Sequence, residues 1–301
     1  MEYKAPLETY SGKVKEIVIG KGEKALKIGG ENVLPFHFFE GTIENKPRLA
    51  LEIYDVEPSN WAAGVVEPYK DVISDPVSWA KKCLDLGADL ICLRLVSTDP
   101  MGANAPADKA AEVVKKVVSA INVPLIVCGS GDETKDIEVL TRVAELCDGE
   151  NLLLGPVVKE NYEPISKAAL DHGHCVIAQT PLDINLEKEL NVKLLKTIPP
   201  ERIVIDPLSS ALGYGMEYSF TIMERTKHAG VVFGDNTMQM PIIADLAGEC
   251  WKTKQAKGSE KQGILWESVT ALSLVLAGAN LLILRHPESF KLLREVIEGK
   301  L

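Results

Sequence analysis

The sequence predicts an α/β protein built around one closed (β/α)8 barrel, the TIM-barrel architecture, and three observations carry that prediction. From Arg48 onward, eight short β-branched apolar runs alternate with segments whose apolar residues recur every three or four positions, the pattern of a parallel sheet with crossover helices. The chain of 301 residues has the usual size of a single barrel. No GxGxxG turn follows the first run at Asp55, where an open doubly wound sheet would carry one.

Taken in order, residues 1–46 precede the barrel and hold two strand-like runs, Val14–Ile19 and Val33–Phe39, flanking Gly29-Gly30. They predict a hairpin extension that covers the barrel floor, with the barrel itself spanning 47–301 in a single domain. The barrel strands are expected at Leu49–Asp55, Asp89–Leu95, Pro124–Gly129, Asn151–Val157, His174–Thr180, Arg202–Pro207, Gln239–Ala244 and Asn280–His286. Between them the helical period is plain: Ala110, Ala111, Val114, Val117, Val118 and Ile121 form one stripe, and Ile137, Leu140, Ala144 and Cys147 another. Asp75-Pro76 opens the first helix and Gly87 closes it, and Asp171-His172-Gly173 ends the fourth. In the seventh unit Val231–Phe233 competes with Gln239–Ala244 for the strand, and the second run is preferred. Two helical segments, 248–258 and 266–278, are expected after it, joined by a polar loop over Ser259–Gly263, and a last helix over Glu288–Glu298.

Composition narrows the function. The formal charge of −10 argues against a nucleic-acid partner, which requires clustered Lys and Arg. The longest apolar run, Ser268–Leu284, is interrupted by Ser273, Gly278 and Asn280, and Met1–Tyr10 lacks the apolar core of a signal peptide, so a soluble, cytoplasmic protein is expected. The six cysteines include no CxxC pair, which suits neither zinc nor an iron–sulfur cluster, and Cys92, Cys128 and Cys175 sit in strand-like runs as small buried hydrophobes. His37, His172, His174, His228 and His286 do not share a helix face at metal-ligand spacing, and no GxSxG elbow supports hydrolase chemistry.

In a barrel, function sits on the loops that leave the C-terminal strand ends. Asp55 is there either as a ligand contact or as the cap of the turn before Glu57-Pro58. The loop Asp99-Pro100-Met101-Gly102-Ala103-Asn104-Ala105-Pro106 either holds backbone N–H groups open to a ligand or is a stiff connector. Gly129-Ser130-Gly131-Asp132 loosely resembles a phosphate-cradling turn, as do many ordinary helix starts. Asp206-Pro207-Leu208-Ser209-Ser210 sets a carboxylate and hydroxyls on the sixth strand end, and Gln179-Thr180, Asn236 with Gln239, and Arg285-His286 complete the polar set. His286 is either a site group or a satisfied histidine ahead of Pro287.

The strings themselves resemble one family. Ile28-Gly29-Gly30-Glu31-Asn32 runs to Leu34-Pro35-Phe36, and Glu52-Ile53-Tyr54-Asp55 is followed by Glu57-Pro58 and Trp61. The match continues through Gly87-Ala88-Asp89, Cys128-Gly129-Ser130-Gly131-Asp132-Glu133-Thr134-Lys135-Asp136, Asp183-Ile184-Asn185, Ile205-Asp206-Pro207-Leu208 and Gln239-Met240-Pro241-Ile242-Ile243. Covering nearly the whole chain, it resembles the small subunit of the corrinoid iron–sulfur protein, also called the delta subunit of the acetyl-CoA decarbonylase/synthase complex.

The resemblance implies a methyl carrier of the reductive acetyl-CoA pathway. Its cobamide takes a methyl group from methyltetrahydrofolate on a methyltransferase and delivers it to acetyl-CoA synthase/CO dehydrogenase. It further implies that the cobamide is shared with a large subunit, which also bears a [4Fe-4S] cluster. The DxHxxG motif that supplies a cobalt-binding histidine in many corrinoid proteins is missing, and Asp171-His172-Gly173-His174 does not fit it. By loop position, Asp99, Met101, Asn104, Ser130, Asp132, Gln179 and Gln239 are expected to contact the cobamide, with no acid–base residue of this chain. Two other readings stand beside this one. A pterin-dependent methyltransferase would use Asp55, Asp206 and Asn236, although Arg94-Leu95-Val96-Ser97 and Gly155-Pro156-Val157 do not complete its usual set of strand-end amides and acids. A scaffold subunit would touch no cofactor.

Overall fold

The computed structural model describes residues 6–299; the first five residues, part of the stretch read as lacking a signal peptide, lie outside them. Two short strands, β1 (Ile17–Ile19) and β2 (Leu26–Ile28), pair antiparallel. Eight parallel strands then close a barrel: β3 (Arg48–Tyr54), β4 (Leu90–Arg94), β5 (Leu125–Cys128), β6 (Leu153–Val157), β7 (Cys175–Gln179), β8 (Ile203–Asp206), β9 (Ile242–Asp245) and β10 (Ala279–Leu284). Each lies beside its sequence neighbour, and β10 pairs with β3 to shut the ring. The outer helices are α1 (Ala63–Val66), α2 (Pro76–Asp85), α3 (Ala107–Ala120), α4 (Glu133–Leu146), α5 (Tyr162–Asp171), α6 (Ile184–Leu194), α7 (Met216–Lys227), α8 (Ala247–Lys252), α9 (Lys254–Gly258), α10 (Glu260–Ala277) and α11 (Pro287–Ile297).

Strand alternation sorts the core into two parts. Leu49, Leu51 and Ile53 of β3 point outward to the helices, whereas Ala50 points inward with Leu90, Cys92, Ile126, Leu153, Ile177, Val204, Ile243 and Ile283. These inward residues plug the lower barrel, and Ile17, Ile19 and Ile28 of the hairpin join them from below. The floor is fixed by polar ties as well: Asn151 Nδ2, just ahead of β6, donates to the carbonyls of Val18 and Gly20 at 2.8 and 3.0 Å. Outside the strands, Trp79 of α2 is fully buried and meets Trp61 and Tyr69 with ring centroids 5.4 Å apart in each pair. Tyr69 Oη in turn donates 2.8 Å to the Arg285 carbonyl, so this aromatic group also holds the chain that leaves β10.

All eight predicted barrel strands are present, and the seventh is β9, because Val231 belongs to a π-helical turn, His228–Val232, that continues α7. Asp75 caps α2 by accepting from Ser78 N at 2.9 Å, and Gly87 follows that helix in the left-handed conformation at φ 88°. Two expectations need correction. The second hairpin strand is Leu26–Ile28, whereas Val33–Phe39 contributes to a 3-10 turn over Pro35–Glu40. Pro35 denies this segment a ladder donor, and the phenyl rings of Phe36, Phe38 and Phe39 are exposed. The loop expected at Ser259–Gly263 is the first turn of α10, which begins at Glu260 directly after Ser259.

Candidate functional site

Above the apolar plug, the same inward positions turn polar. Glu52 and Tyr54 on β3, Arg94 on β4, Gln179 on β7, Asp206 on β8, Asp245 on β9 and Arg285 after β10 line the barrel mouth. They surround a cavity of about 470 Å³, with a deeper recess of about 130 Å³ reaching Cys128, Ile177 and Ile243.

Glu52 is the hub. It is 0% exposed, and each of its carboxylate oxygens takes a different guanidinium: Arg94 Nε donates to Oε1 at 2.6 Å, and Arg285 Nε donates to Oε2. Arg94 Nη2 also donates to Asp245 Oδ2 at 2.6 Å, and Arg285 Nη2 donates to Tyr54 Oη at 2.7 Å. The Arg285 guanidinium lies 4.5 Å from the Trp61 ring centroid. Burial alone would push the Glu52 carboxyl up, but the charges of Arg285 and Arg94 outweigh it and hold the group below its ordinary range.

Asp206 has the opposite balance. Gln179 Nε2 donates to its Oδ2 at 2.8 Å and Leu208 N to its Oδ1 at 2.9 Å, yet no cation binds it directly. Burial, and then repulsion from Asp245, push its carboxyl up to about 7. The mouth therefore holds one carboxyl locked as an anion and another free to change charge near neutral pH. Beside them Ser209 is buried, lines the cavity, and leaves its Oγ without a hydrogen-bond partner.

The expected contact residues are not gathered in one place. Gln179 lines the main cavity and Ser130 the recess. Asp99, Met101 and Asn104 sit on the loop after β4, outside both linings; Met101 is 95% exposed and Asn104 takes φ 45°. Asp99 Oδ1 accepts from Met101 N at 2.8 Å. Asp132 caps α4, accepting from Lys135 N at 2.8 Å. Gln239 is at the other end of the barrel: it precedes β9, its carbonyl accepts from Lys15 N at 2.6 Å, and its side chain donates to the Gly230 carbonyl at 3.0 Å. Its expected place on the rim is thus corrected, because the polar stretch read as a strand end is the entry to β9. Asn236 lies in the turn below the same strand, and the Asp55 carboxylate is occupied by the backbone N–H and hydroxyl of Ser97. Asp55, Asp206 and Asn236 therefore do not converge.

The loop Gly129-Ser130-Gly131-Asp132 is an anion cradle already filled by the protein. Asp136 Oδ1 accepts from Ser130 N at 2.8 Å and Oδ2 from Gly131 N at 2.9 Å. A β-carbon on Gly129 would fall 2.2 Å from that carboxylate, so only glycine fits. Asp136→Ala is expected to lower unfolding stability by about 1–3 kcal/mol, the cost of leaving those amides unpaired, as read by urea denaturation. A change below about 0.5 kcal/mol would mean that water replaces the carboxylate freely.

Sequence reasoning missed Glu52, Arg94 and Asp245 as mouth residues. Their signal was a charge on the inward-facing register of an apolar strand, as in Ala50-Leu51-Glu52-Ile53 and Leu93-Arg94-Leu95. His286 falls on the structural side: it is buried, its Nδ1 accepts from Glu288 N at 3.1 Å as the cap of α11, and its Nε2 stands 3.3 Å from Glu260. All six cysteines are buried and unpaired, and among the described residues no group of three or more His, Cys, Asp or Glu could hold a metal ion. Among the described residues no helix is long and apolar enough to cross a membrane.

Among solved structures, Xanthomonas albilineans dihydropteroate synthase with 4-aminobenzoic acid superposes with a TM-score of 0.63, covering 94% of this chain and 97% of that one at 14% identity, a likeness of fold. The sequence is 38% identical over 312 residues to the acetyl-CoA decarbonylase/synthase complex subunit delta of Archaeoglobus fulgidus, covering 96% of this chain and 69% of the relative. It is 35% identical over 308 residues to the subunit of that name from Methanothermobacter thermautotrophicus, covering 99% and 78%. A family model described as the CO dehydrogenase/acetyl-CoA synthase delta subunit matches residues 16–297. A family model matched over residues 16–297, with relatives 35–38% identical over nearly the whole of this chain, shows that the chain belongs to the delta-subunit family of CO dehydrogenase/acetyl-CoA synthase.

Proposed function

We propose that this chain is the barrel subunit of a cytoplasmic, heterodimeric methyl carrier, and that its mouth covers one face of a cobamide shared with a large subunit that also bears a [4Fe-4S] cluster. The observation that carries the reading is the open polar cavity of about 470 Å³ at the barrel mouth, in a chain of this family. A corrin ring is apolar on its faces and fringed with amide side chains, which both donate and accept hydrogen bonds. Of the polar groups that could meet those amides, Gln179 lines the mouth and Ser130 its recess, while Asp99, Met101 and Asn104 stand on the loop after β4, outside the cavity lining.

When bound, the cobalt supplies the methyl-accepting and methyl-donating chemistry. The residues of this chain shield and orient. With a cobamide bound, Gln179, anchored on Asp206, would offer its carbonyl oxygen to an amide N–H, and the exposed Met101 would supply apolar cover. Ser130 and Asp132 form the rim between them, at the loop whose amides Asp136 has already taken. The partners of that exchange would be a methyltetrahydrofolate methyltransferase on one side and acetyl-CoA synthase/CO dehydrogenase on the other.

The test is the visible spectrum and cobalt content of the heterodimer, compared with the large subunit alone. A spectrum changed by this chain, and cobalt retention reduced about twentyfold in the Asn104→Ala, Ser130→Ala double variant, is the expected result for two lost hydrogen bonds. An unchanged spectrum would reduce the chain to a scaffold. Unchanged retention would remove those two residues from the contact set.

A further inference from the structure

Between α6, α7 and the 3-10 turn Asn236–Met238 ahead of β9, a polar cluster is sealed into the protein. Glu187 is 1% exposed and Asn191 0%. Thr226 Oγ1 of α7 donates to Glu187 Oε1 at 2.7 Å, and Asn191 Nδ2 donates to the Thr237 carbonyl at 3.0 Å. Two buried oxygens are left over, Glu187 Oε2 and Asn191 Oδ1, and neither has a hydrogen-bond partner. The amide cannot turn round to help, because Thr237 presents a carbonyl, which accepts and never donates. The two residues stand one helical turn apart on α6, at i and i+4, where side chains are neighbours.

An ionised carboxylate would leave both oxygens as buried acceptors without a donor, each at the cost of its desolvation. One proton removes the conflict, since a neutral Glu187 is the donor that Asn191 lacks. The surrounding charges are committed elsewhere. Lys227 of α7 is held by Glu31 at 2.5 Å and Asn280 at 2.7 Å, Lys188 pairs with Asp235 at 2.5 Å, and Lys193 pairs with Glu189 at 2.7 Å. Burial pushes the Glu187 carboxyl up to about 8, against the hydrogen bond from Thr226; the Asp206 carboxylate on β8 adds to the rise and Lys227 opposes it.

We propose that Glu187 is kept as a neutral acid in the folded chain and donates across one turn of α6 to Asn191 Oδ1, so that a single proton closes a pH-gated tie between α6, α7 and the turn before β9. The tie bears on the barrel mouth. α6 follows the loop that carries Leu182, and α7 follows the loop that carries Leu208, Ser209 and Ser210, all of which line the main cavity. Ionising Glu187 sets a buried anion against the Asn191 oxygen and loosens that side of the rim, whatever the mouth binds.

NMR of the full chain with isotope-labelled glutamate carboxyls, assigned through the backbone, reads the Glu187 titration without any variant. A midpoint near 8 is expected, and one below about 7 overturns the proposal, with water bridging the two oxygens instead. The Leu182 and Ser210 amides should move with the same midpoint in wild type and lose that step in Glu187→Gln; amides that ignore it overturn the link to the mouth. Urea denaturation gives a second reading. The folded value lies above the unfolded one, so the Glu187 contribution is whole below about pH 4.3 and is lost as pH rises to about 8. Glutamine keeps a donor and an acceptor but does not titrate. The unfolding constant of wild type relative to Glu187→Gln should therefore rise about tenfold per pH unit from about pH 5 to about pH 8 and level off above, and a flat ratio overturns the neutral acid. Glu187→Met offers neither group, and its unfolding constant should exceed that of Glu187→Gln about 10–100-fold at any one pH; equal constants overturn the bond to Asn191.

Discussion

Glu52→Gln is expected to lower the unfolding free energy by about 3–5 kcal/mol, the cost of breaking a buried ion pair by removing one partner. The carboxylate is 0% exposed and is shared by Arg94 and Arg285. Glutamine keeps one acceptor and points an N–H₂ at the other guanidinium, so the variant loses a charge-assisted bond and leaves two like charges near each other. Asp245→Asn should cost less, because Asp245 meets only Arg94 and its side chain is 19% exposed. Urea denaturation of the two variants at pH 7 decides the matter, and equal losses would show that Glu52 is not the hub. The pH dependence has a definite sign. The folded Glu52 carboxyl titrates below its unfolded value of about 4.3, so its contribution is complete above that pH and disappears as pH falls through the lower, folded value.

Asp206→Asn should behave oppositely. The wild-type carboxyl is raised to about 7 in the folded state, against about 3.9 unfolded. Stability is therefore full below about pH 4 and falls as pH rises to 7, where the folded protein must accept a buried anion. Asparagine removes that burden. Relative to wild type, the variant should gain stability across this interval, on the order of 3–4 kcal/mol by neutral pH, and the difference should level off above pH 7. Glu187, raised to about 8 chiefly by burial, titrates in an overlapping window, so the quantity to measure is the difference between variant and wild type. A difference that stays flat from pH 4 to 8 would show that Asp206 is ionised throughout.

The barrel was legible because its signals are repeated and local. The stripe Ala110, Ala111, Val114, Val117 and Val118 is buried on one face of α3, and Asp75-Pro76 caps α2 as written. The hairpin was misread at Val33–Phe39 because three aromatics suggest a strand, whereas Pro35 and the lack of a facing sheet leave a 3-10 turn. The mouth was only half legible. Loop position finds Gln179 and Ser130, but it also selects Gln239, since one polar stretch looks alike at either end of a strand. Glu52 was quoted only as part of a family string, because nothing in Leu51-Glu52-Ile53 reveals that residues 42 and 233 positions away supply its counter-ions. The filled cradle at Gly129 was hidden for a similar reason: whether loop amides await a ligand depends on where the Asp136 side chain turns.

The closing seam has a consequence for synthesis. Glu52 leaves the ribosome 233 residues ahead of Arg285, and β3 gains its second neighbour only when β10 pairs with it. A chain that ended before β10 would have no strand on that side of β3 and no Arg285 to share the Glu52 carboxylate, so its first barrel strand would keep an open edge and a buried charge short of one partner.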